Sequence, residues 1–98
     1  VSERFSLPAR LDSSGAAALV PALLAQRGKP LTLDAGGVEV IGARALEVLV
    51  AAGRQWALDG QPLQIDAPSE RFGAVCATLG LRPDMPWSAA GSQTGVPA

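Results

Sequence analysis

Histidine is absent from the 98-residue sequence, and cysteine occurs once, at Cys76. Without an imidazole, the commonest general acid–base and metal-ligating side chain is missing. A Ser-His-Asp or Cys-His nucleophile cannot be assembled within the chain, and a zinc site of the usual nitrogen–sulfur type has too few donors. A lone cysteine closes no intrachain disulfide, which fits a reducing compartment, so a cytoplasmic location is expected. An excess of basic charge is lacking as well: eight Lys and Arg stand against nine Asp and Glu, for a net charge of -1. No basic field is available to grip a phosphate backbone, which argues against nucleic acid as a partner. Long apolar runs are missing too. The best candidate, residues 43–58, is interrupted by Arg44, Glu47, Arg54 and Gln55. It falls short of the roughly 18 apolar residues that a membrane span needs, so no membrane insertion is expected. No signal-peptide pattern opens the sequence, although a start at Val1 rather than Met leaves upstream residues open.

What is present is apolar and evenly spread. Hydrophobic residues make up 48% and charged residues 17%, a balance that argues for a folded chain over a disordered one. A chain of this length buries about two thirds of the surface its unfolded form exposes, enough for a core without staples. Residues 1–81 read as one domain, and residues 82–98, rich in Pro, Gly, Ser and Ala, as a tail with no core of its own.

Phe5 and Leu7 alternate within "RFSLPARL", and Pro8 limits that segment to an edge strand or a strand with a break. Asp12, Ser13 and Ser14 offer side-chain oxygens to orphan helix N–H groups. They precede a predicted helix at residues 16–27, with Leu19, Leu23 and Leu24 on its apolar side, Val20 beside them and Gly28 as its stop. Pro21 is awkward there, because an interior proline costs about 3 kcal/mol and kinks the axis. "LTLDA", residues 31–35, is a short strand with Leu31 and Leu33 facing one way. Residues 38–41 lead from it to a helix at residues 43–58, whose wheel puts Leu46, Leu49, Val50, Gly53 and Ala57 on one stripe. Asp59-Gly60 ends that helix, and residues 63–66 form a third strand. Ser69 caps a third helix, residues 70–79, which turns Phe72, Val75, Cys76 and Leu79 inward. Alternating strands and helices imply an α/β domain: a small mixed β-sheet with helices mainly on one face, in which strands joined through helices run parallel.

Patterns that carry chemistry are few. "DAGGVEVIG", residues 34–42, holds glycines near a strand end but is neither GxGxxG nor GK(S/T). A nucleotide-binding or phosphate-chemistry protein therefore lacks its cradle, and Gly36-Gly37 are expected to make a turn at positive φ. Asp34 sits where a receiver domain carries its phospho-accepting aspartate, but the acidic pair and late lysine of that chemistry are missing, so a turn or capping role is expected. Asp12, Asp34, Asp59 and Asp66 all fall at element ends, as caps do, and not as paired catalytic carboxylates. Cys76 behaves as a small apolar residue. No catalytic, cofactor-binding or metal-binding residue is assigned. Trp56 differs. It stands at the edge of the helical stripe with Ala45, Val48 and Ala52, small residues around one large ring. That shoulder either covers the core edge or forms a flat docking face with an aromatic anchor.

Several blocks together, "LTLDAGGVEVIGARALEVLVAA", "DGQPLQI" and "PSERFGAVCATLGL", resemble the STAS domains, the anti-sigma-factor-antagonist-like family, over residues 5–81. The family's second block runs LDLSxVxxIDSSGLxxLL, and Leu33-Asp34, Val38, Ile41, Leu46 and Leu49 keep its frame. The resemblance implies a non-catalytic module acting by protein–protein contact. In regulated members a serine or threonine of the DSSG motif is phosphorylated at the helix N-terminus. Here that motif falls on Gly42-Ala43-Arg44-Ala45, with Arg44 in the phosphoserine place and Ala43 in the hydroxyl position before it. The degenerate phosphosite, Ala43 and Arg44, has nothing to phosphorylate, while the loop and helix that partners read are kept. Gly42, Ala43, Arg44, Val48, Ala52 and Trp56 are the expected partner-binding residues. A literal DSSG at residues 12–15 precedes the first helix, not the second, and reads as a cap.

The pattern LDA, V-x-x-(L/I)-G-A, L-x-V-L-x-A-A, W and D-G-Q-P-L further resembles the stand-alone STAS-like proteins of bacterial chemotaxis gene clusters. It implies a chemotaxis histidine kinase or response regulator as the protein partner and no cofactor, with a weak homodimer left open. The alternatives are an accessory STAS subunit of an ABC-type lipid transporter and an anti-sigma-factor antagonist, the latter weakened by the missing switch hydroxyl.

Overall fold

Pro8 splits the first extended segment. In the computed structural model, which describes residues 3–87, β1 (Glu3–Ser6) and β2 (Arg10–Leu11) lie on either side of it and enter different sheets. β1 pairs with β3 (Leu31–Asp34), and β3 with β5 (Leu63–Asp66), in the order β1-β3-β5. β2 pairs separately with β4 (Val40–Ile41). The α/β class with a small sheet holds. The pairings β1–β3, β2–β4 and β3–β5 are parallel, however, and not mixed. Each is bridged by a connection that passes through a helix, and such a crossover returns the chain in the same direction.

The register sets Leu31 beside Leu63 and Leu33 beside Ile65, and all four are buried. Their neighbours Thr32, Asp34, Gln64 and Asp66 point the other way, half-buried or exposed, with Arg4 and Ser6 in the same rows. The period of two thus divides the sheet into an apolar face under the helices and a polar face.

α1 (Ser13–Leu24) starts at Asp12, whose carboxylate accepts the Gly15 N–H at 3.0 Å. Of the three candidate caps it is Asp12, the first, that starts the helix, so α1 begins at Ser13 and covers 13–24 and not the expected 16–27. Pro21 lies inside it, and Gly28, at φ 87, completes the turn that follows. α2 (Ala43–Leu58) buries Ala45, Leu46, Leu49, Ala52, Gly53 and Trp56, whereas Val50 is half-buried and Ala57 exposed. The buried stripe is wider than expected and rotated, because α1 packs along one flank of α2 while β5 contacts it as well. Leu49, fully buried, sits between these layers.

α3 (Glu70–Thr78) is capped by Ser69, whose hydroxyl accepts the Phe72 N–H at 3.1 Å and donates to the Val38 carbonyl at 2.6 Å. One side chain thus starts the helix and ties it to the approach to β4. Phe72 and Cys76 are buried, and burial pushes the Cys76 thiol pKa up, as befits an apolar role. Leu79 is 56% exposed and does not turn inward: it follows the last helical residue, where the 3.6-residue period has already ended. Beyond Leu81 the chain turns back. The Asp84 backbone carbonyl accepts the Ile65 N–H at 2.8 Å, Pro86 is buried and Trp87 packs on the core. Residues 82–87 therefore cover the β5 side of the domain. The rest of the expected tail, 88–98, lies outside the described residues.

Candidate functional site

The expected site begins where β4 ends. Gly42 caps α2 in extended backbone, φ -109 and ψ 175, with no side-chain hydrogen bond. Its N–H donates to the Leu11 carbonyl at 3.0 Å, and its carbonyl accepts the Leu46 N–H at 3.2 Å. The β2–β4 pair thereby fixes the approach to the helix. The first four N–H groups of a helix have no intrahelical partners, and this cap brings no side-chain oxygen to them. Ala43 and Arg44 are exposed, and Ala45 is buried. The Arg44 guanidinium lies 3.9 Å from Glu47 with both side chains in solvent, a contact that contributes little. A cation in the first turn also opposes the helix dipole, by about 0.3–1 kcal/mol.

The start of α1 is treated in the opposite way. Asp12 fills the cap, and Gly15 passes so close to the Arg10 carbonyl that a Cβ there would collide with it. The Gly15 N–H, with the Arg10 guanidinium 3.4 Å away adding to it, holds the Asp12 carboxyl below the usual carboxylate range. The literal DSSG is thus the β2–α1 junction, a cap as its position implied.

An apolar groove of about 260 Å³ runs between α1 and α2, lined by Val20, Leu23, Leu24, Val48, Ala52 and Trp56. A hollow of about 180 Å³ shares Val20 and Val48 with it and reaches Ser13 and Arg44. The structure thus brings Arg44, Val48, Ala52 and Trp56 onto one continuous surface, whereas Gly42 lines neither hollow and Ala43 lines the hollow on the other flank of α2. Trp56 does not project from it. The indole is 2% exposed, and its Nε1–H donates to the Lys29 carbonyl at 2.8 Å, the partner a buried indole needs. Ala52 is buried beside it, so both form the floor. Sequence reasoning placed Leu24 inward, yet it is 59% exposed and forms the outer lip with Val20. Adjacent residues can share one buried stripe, as Ala45 and Leu46 do in α2, so no local pattern marks the exposure of Leu24.

Arg27 closes the far end of the groove by clasping Asp59 through hydrogen bonds of 3.1 and 3.0 Å, and Gln55 donates to the same carboxylate at 3.1 Å. Arg27 first, then Gln55, holds the Asp59 carboxyl below its ordinary range. On the polar face of the sheet, Arg4 reaches Asp66 at 2.9 Å and Asp34 at 3.3 Å. Asp34 accepts the Gly36 N–H at 2.9 Å, the main reason its carboxyl sits low, and Arg4 reinforces it. Asp34 is therefore a turn aspartate. Gly36-Gly37 make the turn, but not at positive φ, which among the described residues belongs to Gly28, Gly60, Gly80 and Ala67. Gly36 serves clearance instead, since a Cβ there would press on Asp34 at 3.2 Å and on the Ala67 carbonyl at 3.3 Å. Among the described residues, no three or more His, Cys, Asp or Glu converge to hold a metal, and no helix is long and apolar enough to cross a membrane.

Fold and surface together describe a small α/β domain, with parallel strands behind, a helix pair in front, and a surface of methyl groups, branched aliphatics and one guanidinium. A family model described as "Mlab, STAS domain" matches residues 2–83, and the chain belongs to the STAS domain family. STAS domains are non-catalytic modules that mediate protein–protein contacts. No curated protein and no solved structure matches the chain.

Proposed function

We propose that this STAS domain is a protein-interaction module of bacterial signalling that docks its partner along the α1–α2 groove, from Arg44 to Trp56, without a phosphorylation switch at the start of α2. What carries the reading is a continuous apolar surface, shared through Val20 and Val48, that opens onto a helix start devoid of hydroxyls. A segment laid in the groove would cover Leu24 and Val20 and come to rest on the small side chains over Trp56. Removing apolar surface from water contributes about 25 cal/mol per Å², and Arg44 at one end sets direction. The proposed partner is a chemotaxis histidine kinase or response regulator, on the pattern of the sequence blocks from Leu33 to Leu63. A helix start with no switch hydroxyl also favours a second reading, an accessory STAS subunit of an ABC-type lipid transporter, held by its partner at all times.

Leu24→Glu tests the site. The side chain lies mostly in solvent, so the variant should melt like wild type. Binding is measured to the purified chemotaxis kinase, the response regulators and the transporter ATPase of the same genome. The expected result is a wild-type complex with the kinase or a regulator that Leu24→Glu weakens by about tenfold or more. A complex with the ATPase alone supports the second reading. A folded Leu24→Glu protein that binds as wild type removes the groove from the interface.

A further inference from the structure

Helix α2 has another face, across its crest from the α1 groove. Ala43, Glu47, Ala51, Arg54 and Leu58 recur at helical spacing along it, and all are exposed. Leu58, at 82%, is the most exposed of the large apolar side chains among the described residues. Beside this stripe lies an open hollow of about 430 Å³ floored by Leu46, Val50, Leu79 and Leu81, with Glu47 and Arg54 on its rim.

The two charges complement a copy of themselves. Glu47 and Arg54 stand at equal distances on either side of the Val50–Ala51 midpoint, about 10.5 Å apart along the axis. With a two-fold axis at that midpoint, a second α2 laid antiparallel sets its Arg54 opposite Glu47 and its Glu47 opposite Arg54, because a two-fold contact repeats every pair. Ala51 at the crossing lets the helix axes approach closely, and the second copy's Leu58 comes over Ala43 at the mouth of the apolar hollow. Within one copy neither charge is well satisfied. Glu47 meets only Arg44, at 3.9 Å in open solvent, and Arg54 makes no ion pair among the described residues. We infer that the protein forms a homodimer through an antiparallel α2–α2 contact centred on Ala51, with reciprocal Glu47–Arg54 pairs. Ala51 stands on the crest and borders the α1–α2 groove as well as this hollow, while Glu47 and Arg54 border only the hollow, so self-association of the protein alone, read at Glu47 and Arg54, tests this contact separately from partner docking in the groove.

Sedimentation equilibrium from micromolar to near-millimolar protein at low salt reads the contact. Wild type should show a monomer–dimer equilibrium. Glu47→Arg and Arg54→Glu change exposed side chains and should melt like wild type. Each alone should weaken dimerisation by about tenfold or more, because both reciprocal pairs become like-charged. Mixed together, the two variants should form a heterodimer, since one brings only guanidinium groups to the contact and the other only carboxylates. Should either variant fail to fold, the double exchange Glu47→Arg/Arg54→Glu keeps complementarity with the signs reversed and should dimerise as wild type. The inference is overturned by a wild type that stays monomeric throughout, by a dimer that persists in both single variants, or by a mixture or double exchange that associates no better than the single variants.

Discussion

The indole of Trp87 occupies the space that a side chain at Gly53 would take. A Cβ added to Gly53 would run into that ring, and Gly53 is itself buried in the middle of α2. A helix-interior glycine costs roughly 0.8–1 kcal/mol relative to alanine, so α2 forgoes helix preference for a notch that seats an aromatic ring. Gly53→Ala is expected to expel Trp87 and shift its emission to the red, while the gain in helix preference keeps the change in unfolding free energy within about 1 kcal/mol. In a Trp87→Ala background the same substitution should leave the remaining emission unchanged. An unshifted spectrum in the single variant would contradict the contact.

Arg44 and Ala52 should respond to substitution in opposite ways. Arg44 is exposed and opposes the dipole of α2, so Arg44→Ala should leave the thermal midpoint unchanged or slightly raised while weakening partner binding. Unfolding of that variant would make Arg44 structural. Ala52 is in the floor of the groove, and Ala52→Glu would bury an unpaired carboxylate at a cost of about 3 kcal/mol or more. Chemical denaturation of the two proteins side by side checks both expectations.

Incubation with ATP and kinases of the anti-sigma type should place no phosphate on residues 42–45, which offer no acceptor. Mass mapping of the digested protein reads this directly. A phosphate on Ser13 or Ser14 that alters partner binding would overturn the reading of the first DSSG as a cap.

Acid should destabilise the domain through three carboxylates. Asp12, Asp34 and Asp59 all have their pKa lowered in the fold, chiefly by the Gly15 N–H, the Gly36 N–H and the Arg27 guanidinium respectively. A group whose folded pKa lies below its unfolded value is protonated first in the unfolded chain. Its contribution is therefore complete above the unfolded pKa and disappears as pH falls through the folded one. Urea midpoints should be flat near neutrality and drop on acidification below the ordinary carboxylate range, and Asp59→Asn should make that drop shallower. An equally steep drop in Asp59→Asn would remove the Arg27 clasp from the account.

The bounds of α2 and β5 were legible in the sequence because period and punctuation agree there: Gly42 precedes the apolar repeat, Asp59-Gly60 closes it, and Leu63 and Ile65 alternate. α1 was displaced because Asp12, Ser13 and Ser14 all offer capping oxygens and local chemistry does not rank them. The candidate site was half visible. Arg44, Val48, Ala52 and Trp56 do share a surface, but a wheel drawn for α2 alone cannot register α1 covering its flank, and that cover turns Trp56 from an anchor into a floor. The seat of Trp87 depends on a contact between residues 53 and 87, which no local pattern encodes. Its one trace was a glycine inside an otherwise regular helix.

The parallel pairings also dictate when the domain can form. Glu3 pairs with Leu31 and Leu31 with Leu63, so no strand finds its neighbour until a helix and its loops have been made in between. Long-range pairings of this kind must close large loops before any contact offsets the lost entropy, and they fold slowly. On a ribosome, α1 and α2 emerge before the sheet they cover is complete. Until residues 63–66 are released, β3 keeps one unpaired edge, its Leu31 and Leu33 row open to whatever strand comes by, and arrival of β5 is the step that shuts it.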